Sequence, residues 1–172
     1  IVALEFAPSL SATTFTTHRS NIKSSAMNTG NQNQTTYVTD TTNMTTIFSP
    51  SVYIYDRGAM IISMMRTLLG NTKFFQALQN YQNDPLLKYG NAYTNDVKRH
   101  METASGLNLT TFFNNWMYNK GYATYSGSRW NNTGNKVFIN LVQVANASAP
   151  LTHFDMPLVL RIQGAIAGQD TT

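Results

Sequence analysis

The chain has 172 residues, 42% of them hydrophobic, which is enough for one compact domain with its own core or for one domain plus a piece of another. Its 12 basic and 8 acidic residues give a net charge of +4, and Lys98-Arg99 is the only basic doublet, so nucleic-acid binding is not expected. The absence of cysteine excludes disulfides and thiolate metal sites, and no apolar run reaches the ~18 residues that cross a membrane.

Charged residues make up only 12% of the chain, about half the usual share, and Asn, Thr and Ser supply most of the polar surface. This composition favours a secreted, periplasmic or cell-surface protein. The first ten residues include neither an initiator Met nor the basic stretch of a signal peptide. We therefore expect the sequence to begin and end within a longer polypeptide.

Residues 1–47 are predicted to be partly helical and to end in a long polar loop. Four apolar residues fall close to helical spacing: Leu10, Phe15, Ile22 and Ala26. Many Thr and Ser residues weaken this helix, because their side chains compete for backbone hydrogen bonds. From Asn28 to Thr46 the chain is polar and rich in turn formers, which predicts a loop. A loop of this length in a compact domain usually serves or covers a site.

Residues 48–121 are predicted to form a four-helix subdomain, because apolar residues recur every three or four positions between capping and breaking residues. The first predicted helix ends at Gly70, and the second runs from about Thr72 and stops before Asp84-Pro85. The third has Thr94 as its N-cap and ends at Gly106, and the fourth begins near Asn108 and ends at Gly121. Such short helices with short links must pack on one another to bury their apolar faces.

Residues 122–172 are predicted to form β-strands, because the apolar period changes to two. Strands over 122–130 and 135–144 flank a turn at Asn131–Gly134, and a third strand is predicted over 156–162. Strands with unpaired edges need further partners, so we expect the start of a β-sandwich. The predicted fold class is mainly α: a helical subdomain followed by the first strands of a sandwich.

The residues that usually carry chemistry are scarce in this chain. His18, His100 and His153 lie far apart, Glu5 and Glu102 are the only glutamates, and no H-E-x-x-H pair occurs. A catalytic zinc needs three converging ligands, so these residues are not expected to bind one. We expect each histidine to be an ordinary surface or half-buried residue. The sequence also has no phosphate-binding loop and no G-x-S-x-G nucleophile elbow.

Tyr55 is the remaining candidate, and its residue type leaves two interpretations open. It stands in Tyr55-Asp56-Arg57-Gly58, between a tyrosine-rich run and the Met/Leu stripe of the first predicted helix in the four-helix subdomain. A tyrosine at a helix start usually packs with its hydroxyl at the surface. The same position also suits a residue at the edge of an active site.

The order of several short motifs over about residues 48–163 resembles the zinc aminopeptidases of the aminopeptidase N type. The matching motifs are Tyr55-Asp56-Arg57-Gly58, Leu69-Gly70, Phe75, Tyr81, Thr94-Asn95-Asp96, Ser105-Gly106-Leu107-Asn108-Leu109, Phe112-Phe113-Asn114-Asn115-Trp116 and Gly121-Tyr122-Ala123. Two positions depart from the family pattern, since Arg57 stands where Lys is commoner and Ala123 where Pro is usual.

The resemblance implies the helical end of a thermolysin-like catalytic domain that runs into a β-sandwich. It implies that Tyr55 donates a hydrogen bond to the oxyanion formed when zinc-activated water attacks the scissile carbonyl of a peptide substrate. The family's zinc ligands have no counterpart here. The resemblance thus implies that the zinc-binding half of the catalytic domain, another part of the same polypeptide, is the partner of this chain. The isolated 172 residues are expected to bind no zinc and to be inactive.

Two other functions are kept as alternatives. The chain could belong to a non-catalytic homologue, or to a secreted or cell-surface binding scaffold whose loop from Asn28 to Thr46 is an interaction surface. A carbohydrate-binding surface formed by Tyr122, Tyr125 and Trp130 is the weaker alternative, since aromatic residues that alternate on a strand more often pack into a sandwich.

Overall fold

Short apolar stripes interrupted by glycine and proline produce a series of short helices, followed by a β-hairpin. The computed structural model describes residues 12–28, 34–48, 53–133, 136–146 and 149–162. Its helices are α1 (Ala12–Ala26), α2 (Met44–Phe48), α3 (Gly58–Leu69), α4 (Asn71–Asn83), α5 (Thr94–Ser105) and α6 (Thr110–Phe113), with π-helical turns at Tyr53–Arg57 and Asn114–Tyr118. Strands β1 (Ala123–Thr133) and β2 (Lys136–Ala145) pair antiparallel. The predicted fold class, mainly α followed by the first strands, is confirmed.

The helix α3 packs through half of the apolar stripe that its sequence predicts, which comprises Met60, Ile61, Met64, Met65, Leu68 and Leu69. Ile61, Met65 and Leu69 follow one another at four-residue intervals and are all buried. The helix has no loop in front of it, because Arg57 has helical backbone angles and joins the first π-helical turn directly to α3. The sequence places Tyr55 just before a helix. In the structure Tyr55 lies in a π-helical turn that continues directly into α3.

Helices α4 and α5 form the centre of the core. Phe74 and Ala77 of α4 and Met101 of α5 are fully buried in the same apolar cluster. The sequence predicts Thr94 as the N-cap of α5, but Tyr93 is the N-cap. The Tyr93 backbone N–H donates to Asp96 Oδ2 over 2.8 Å, which moves the helix start by one residue.

The fourth predicted helix has two parts. The single turn α6 continues as the second π-helical turn, Asn114–Tyr118. Phe112, Phe113 and Trp116 are buried here, and the Trp116 ring lies 5.0 Å from the ring of Phe154. The fourth predicted helix thus connects the helical core to the chain that follows the hairpin.

The hairpin differs from its prediction at the turn. Asn131 and Asn132 pair with β2, and the register runs on to Thr133 opposite Lys136. The turn is therefore shorter than predicted, with Gly134 and Asn135 lying outside the described residues. The ladder is irregular between Ser126 and Arg129.

The predicted third strand, 156–162, forms no ladder within the part of the chain that the structure describes, apart from a bridge at Ile162. A side chain of β2 instead binds the chain just before this segment. Gln143 of β2 donates to the Phe154 carbonyl over 2.9 Å and accepts from the Phe154 N–H over 2.7 Å. The amide side chain of Gln143 thus holds Phe154, just before the predicted third strand, to β2.

Two residues of the polar loop before the helical core pack against that core. The hydroxyl of Thr36 donates to the Met117 carbonyl over 3.1 Å, and Tyr37 meets Tyr118 edge to face with centroids 5.3 Å apart. Part of this predicted loop, residues 29–33, lies outside the described residues, as do the predicted helix-start residues before Ala12. None of the described helices is both long and apolar enough to span a membrane.

Candidate active site

Tyr55 lies in the middle of the first π-helical turn, and its side chain is 61% exposed. In the same turn Ile54 and Asp56 are half-buried and Arg57 is buried. Tyr55 is therefore not a core residue, and its ring projects from a turn whose other side is packed. Among the described residues, nothing hydrogen-bonds to its hydroxyl.

The backbone around Tyr55 is unusual. A π-helical turn has i→i+5 hydrogen bonds, is rare, and often occurs at functional sites. The described residues include two such turns, and the side chain of Arg57 connects them. Its guanidinium reaches the end of the second turn.

Arg57 is 4% exposed and binds three backbone carbonyls at the end of the second π-helical turn. Its Nη1 donates to Gly121 O over 2.7 Å, and its Nη2 donates to Asn119 O over 3.0 Å and to Trp116 O over 3.3 Å. The guanidinium carbon lies 5.7 Å from the centroid of the Trp116 ring. Carbonyls at a helix C-terminus lack intrahelical partners and attract a cation, so Arg57 satisfies the end of this segment.

The second π-helical turn is also hydrogen-bonded to the chain after the hairpin. Asn115 Nδ2 donates to His153 O over 3.0 Å, and Trp116 Nε1 donates to Asp155 O over 2.6 Å. The turn that carries Tyr55 is thus connected through Arg57 to an ordered part of the protein. The sequence marks Arg57 only as a departure from the commoner Lys, because the carbonyls that it binds lie about 60 residues away.

The three histidines do not converge. His18 is exposed on α1, His153 is exposed, and His100 is buried on α5, more so than its predicted surface or half-buried position. Among the described residues, no group of three His, Cys, Asp or Glu side chains could hold a metal ion. The described residues therefore do not fit the role of a zinc site.

His100 is buried because it pairs with Asp84 at the end of α4. Its Nε2 lies 2.9 Å from Asp84 Oδ2, which also accepts a hydrogen bond from Arg99 Nη2 over 2.9 Å. The Arg99 hydrogen bond, together with the Leu86 backbone N–H, lowers the pKa of Asp84 to about 2. This cluster joins α4 to α5, and its groups are all used in holding the two helices together.

Asp84→Asn is expected to weaken the pH dependence of folding stability in the acid range. Because the folded pKa of Asp84 is about 2 and its ordinary value is 3.8, ionised Asp84 contributes fully above about pH 3.8, and this contribution is lost as the pH falls towards 2. In thermal unfolding, the Tm difference between the native protein and Asp84→Asn should shrink over that range.

The Arg99→Gln variant tests the cause of this shift. It removes the largest contribution to the lowered pKa of Asp84, so the folded pKa should rise towards 3.8 and less stability should be lost between about pH 3.8 and pH 2 than in the native protein. A Tm difference between the native protein and Asp84→Asn that stayed constant from about pH 5 to pH 2 would contradict the assignment.

The structure gives the carbohydrate-binding alternative little support. Tyr122 is half-buried, and Tyr125 accepts a hydrogen bond from Gln143 Nε2 over 2.9 Å. The side chain of Trp130 lies outside the described residues. The two described tyrosines therefore do not form an exposed pair of rings.

Comparison with known families gives one result. The family model described as the Peptidase family M1 domain matches residues 5–116, about two thirds of the chain. The match includes the turn that carries Tyr55 and ends at Trp116, within the second π-helical turn. A search of the curated proteins and a search of the solved structures each gave no match.

Proposed function

This chain belongs to peptidase family M1, and from that membership we propose that it contributes Tyr55 to a zinc-dependent aminopeptidase that removes N-terminal residues from peptides. Family membership itself gives a peptidase-related function. The proposal adds the aminopeptidase specificity, the use of zinc and the role of one residue.

The observation that supports the role of Tyr55 is the contrast between its exposed ring and the buried side of its own turn. The ring is 61% exposed, while Arg57, two residues later, is buried and bound to distant carbonyls. A catalytic group must project towards substrate from a support that keeps its orientation. The exposed ring of Tyr55 on a packed turn supports this role.

The chemistry of a phenol suits the proposed step. A phenol is an uncharged hydrogen-bond donor at neutral pH, so its O–H can point at an oxygen that becomes negative. In the proposed reaction, Tyr55 donates to the scissile carbonyl oxygen as that oxygen gains charge. Such a donor binds the transition state more tightly than the substrate, which raises kcat.

We further propose that the zinc ligands belong to parts of the polypeptide other than the described residues, which bring no three suitable side chains together. The partner of this chain would then be the zinc-binding part of the same polypeptide. Placement outside the cytoplasm is proposed from the low share of charged residues alone.

The 172-residue chain produced by itself is expected to contain no stoichiometric zinc and to cleave no peptide. Elemental analysis of the purified chain and an assay with a chromogenic aminoacyl anilide measure the two properties. The full-length polypeptide, prepared in the same way, is the control and should show both. One equivalent of zinc together with turnover in the isolated chain would contradict the proposal.

The direct test of the proposed role is Tyr55→Phe in the full-length polypeptide, with turnover and zinc content measured on the same preparation. This change removes one oxygen and almost no volume.

The alternative function is a non-catalytic homologue or a surface binding scaffold. It is favoured by the exposed polar segment before α3, where Tyr37 is 53% and Met44 70% exposed. The coding sequence upstream separates the two functions. An H-E-x-x-H motif followed by a further Glu supports the enzyme, whereas substituted ligands support the scaffold.

A further inference from the structure

We infer that Arg57 is a positioning residue for Tyr55, holding the π-helical turn in the geometry that aims the phenol. This inference rests on the proposed function, since it assigns a task to Arg57 only if Tyr55 acts in the reaction. It goes beyond that function by making turnover depend on three backbone carbonyls about 60 residues away from Tyr55.

The core holds the body of α3, which follows the turn that carries Tyr55. Ile61, Met65 and Leu69 fix the body of the helix in the core. They all follow the turn that carries Tyr55, and that turn is itself contacted by α1 and bound through the side chain of Arg57. Arg57 is the last residue of the turn, and its side chain is buried against the second π-helical turn.

Without the contacts of Arg57, the turn that carries Tyr55 could change to α-helical geometry. The π form is rare beside the α form, which has fewer residues per turn. A turn that changed from π to α geometry would rotate Tyr55 about the helix axis relative to α3. Because Arg57 closes the turn and binds Trp116 O, Asn119 O and Gly121 O at once, a change of geometry that moved Arg57 would break several hydrogen bonds together.

Arginine suits position 57 better than lysine does. The arginine guanidinium is planar and presents its donors in a fixed fork, so one residue can reach several carbonyls in set directions. A lysine in this position has three donors on a single nitrogen and reaches fewer of these carbonyls at good geometry. Lysine should therefore keep part of the positioning and glutamine should lose it.

The test is a double-mutant cycle in the full-length polypeptide, made from Tyr55→Phe, Arg57→Gln and the double variant. Arg57→Gln alone should lower kcat by roughly tenfold or more and change KM little, since a displaced catalytic group loses rate rather than substrate binding. In the Tyr55→Phe background the same change should cost only about twofold, because the hydroxyl being positioned is gone.

Arg57→Lys keeps a buried cation and tests the same positioning role. It replaces Arg57→Gln in the double-mutant cycle if Arg57→Gln does not fold. Its kcat should lie between those of the native protein and Arg57→Gln, with the same loss of effect in the Tyr55→Phe background. Lys73→Gln is the matched control, because Lys73 Nζ also donates to a helix-terminal carbonyl, Ser105 O, at 3.1 Å, but away from Tyr55.

Lys73→Gln should leave kcat close to the native value. If the Arg57 substitutions cost as much in the Tyr55→Phe background as in the native protein, the positioning role is overturned while the proposed function stays intact. Native turnover in Tyr55→Phe would instead overturn the proposed function, and the positioning role with it.

Discussion

Tyr55→Phe in the full-length polypeptide is expected to lower kcat by about 10²–10³-fold while its zinc content stays unchanged. The physical reason is that the lost hydroxyl would donate to an oxygen that carries negative charge only in the transition state. The substrate before attack needs no such donor, so KM should change much less than kcat. The assay is steady-state hydrolysis of an aminoacyl anilide, with zinc measured on the same sample.

Tyr89→Phe is the matched control, because it makes the same chemical change on a side chain that is 99% exposed, in the segment between α4 and α5. Its turnover and zinc content should equal those of the native protein. If Tyr55→Phe behaves in the same way as Tyr89→Phe, Tyr55 is a surface residue and the proposed catalytic role is wrong.

Gly121→Ala is expected to destabilise the protein by roughly 2–4 kcal/mol, the largest effect on stability that we predict. Gly121 has φ of 92°, which is unfavourable for any residue with a Cβ. A Cβ here would also lie 2.5 Å from Ala149 Cβ and 2.9 Å from Ala149 Cα. These contacts can be relieved only if the backbone at Gly121 or Ala149 moves. Chemical denaturation of the variant and the native protein measures the difference.

Gly106→Ala separates the two causes of this effect. Gly106 has φ of 75°, but a Cβ there would meet nothing within 4 Å, so it carries the backbone strain without the collision. It should cost only about 1 kcal/mol. Equal costs at the two glycines would show that the contact with Ala149 is relieved easily. Because Gly121 O accepts from Arg57, Gly121→Ala should also lower turnover at temperatures where the variant remains folded.

Several features of the fold could be predicted because they depend on local chemistry. Gly70 and Gly106 end their helices where predicted, since each has a positive φ that other residues avoid. The predicted stripe of α3 is buried in part, since Ile61, Met65 and Leu69 are buried. The other members are half-buried or exposed: Met60, Met64 and Leu68. The fold class followed from the change of apolar period from helical spacing to alternation.

Other features could not be predicted because residues far apart in sequence decide them. A π-helical turn keeps nearly the same apolar pattern as an α-helical turn, so sequence spacing does not reveal either one. Burial of His100 depends on Asp84, which lies 16 residues earlier. Alternation predicts the third strand, yet the described residues form a two-stranded sheet, and the amide of Gln143 binds Phe154 just before that segment.

For the candidate site, the sequence by itself determined the identity of Tyr55, its place next to the start of α3 and its family context, since all three depend on the order of residues. Only the tertiary structure decided that Tyr55 is exposed and that Arg57 is buried beneath its turn. The reason is that exposure and hydrogen-bond partners depend on which distant segments pack together. The carbonyls of Trp116, Asn119 and Gly121 reach Arg57 only when the chain is folded.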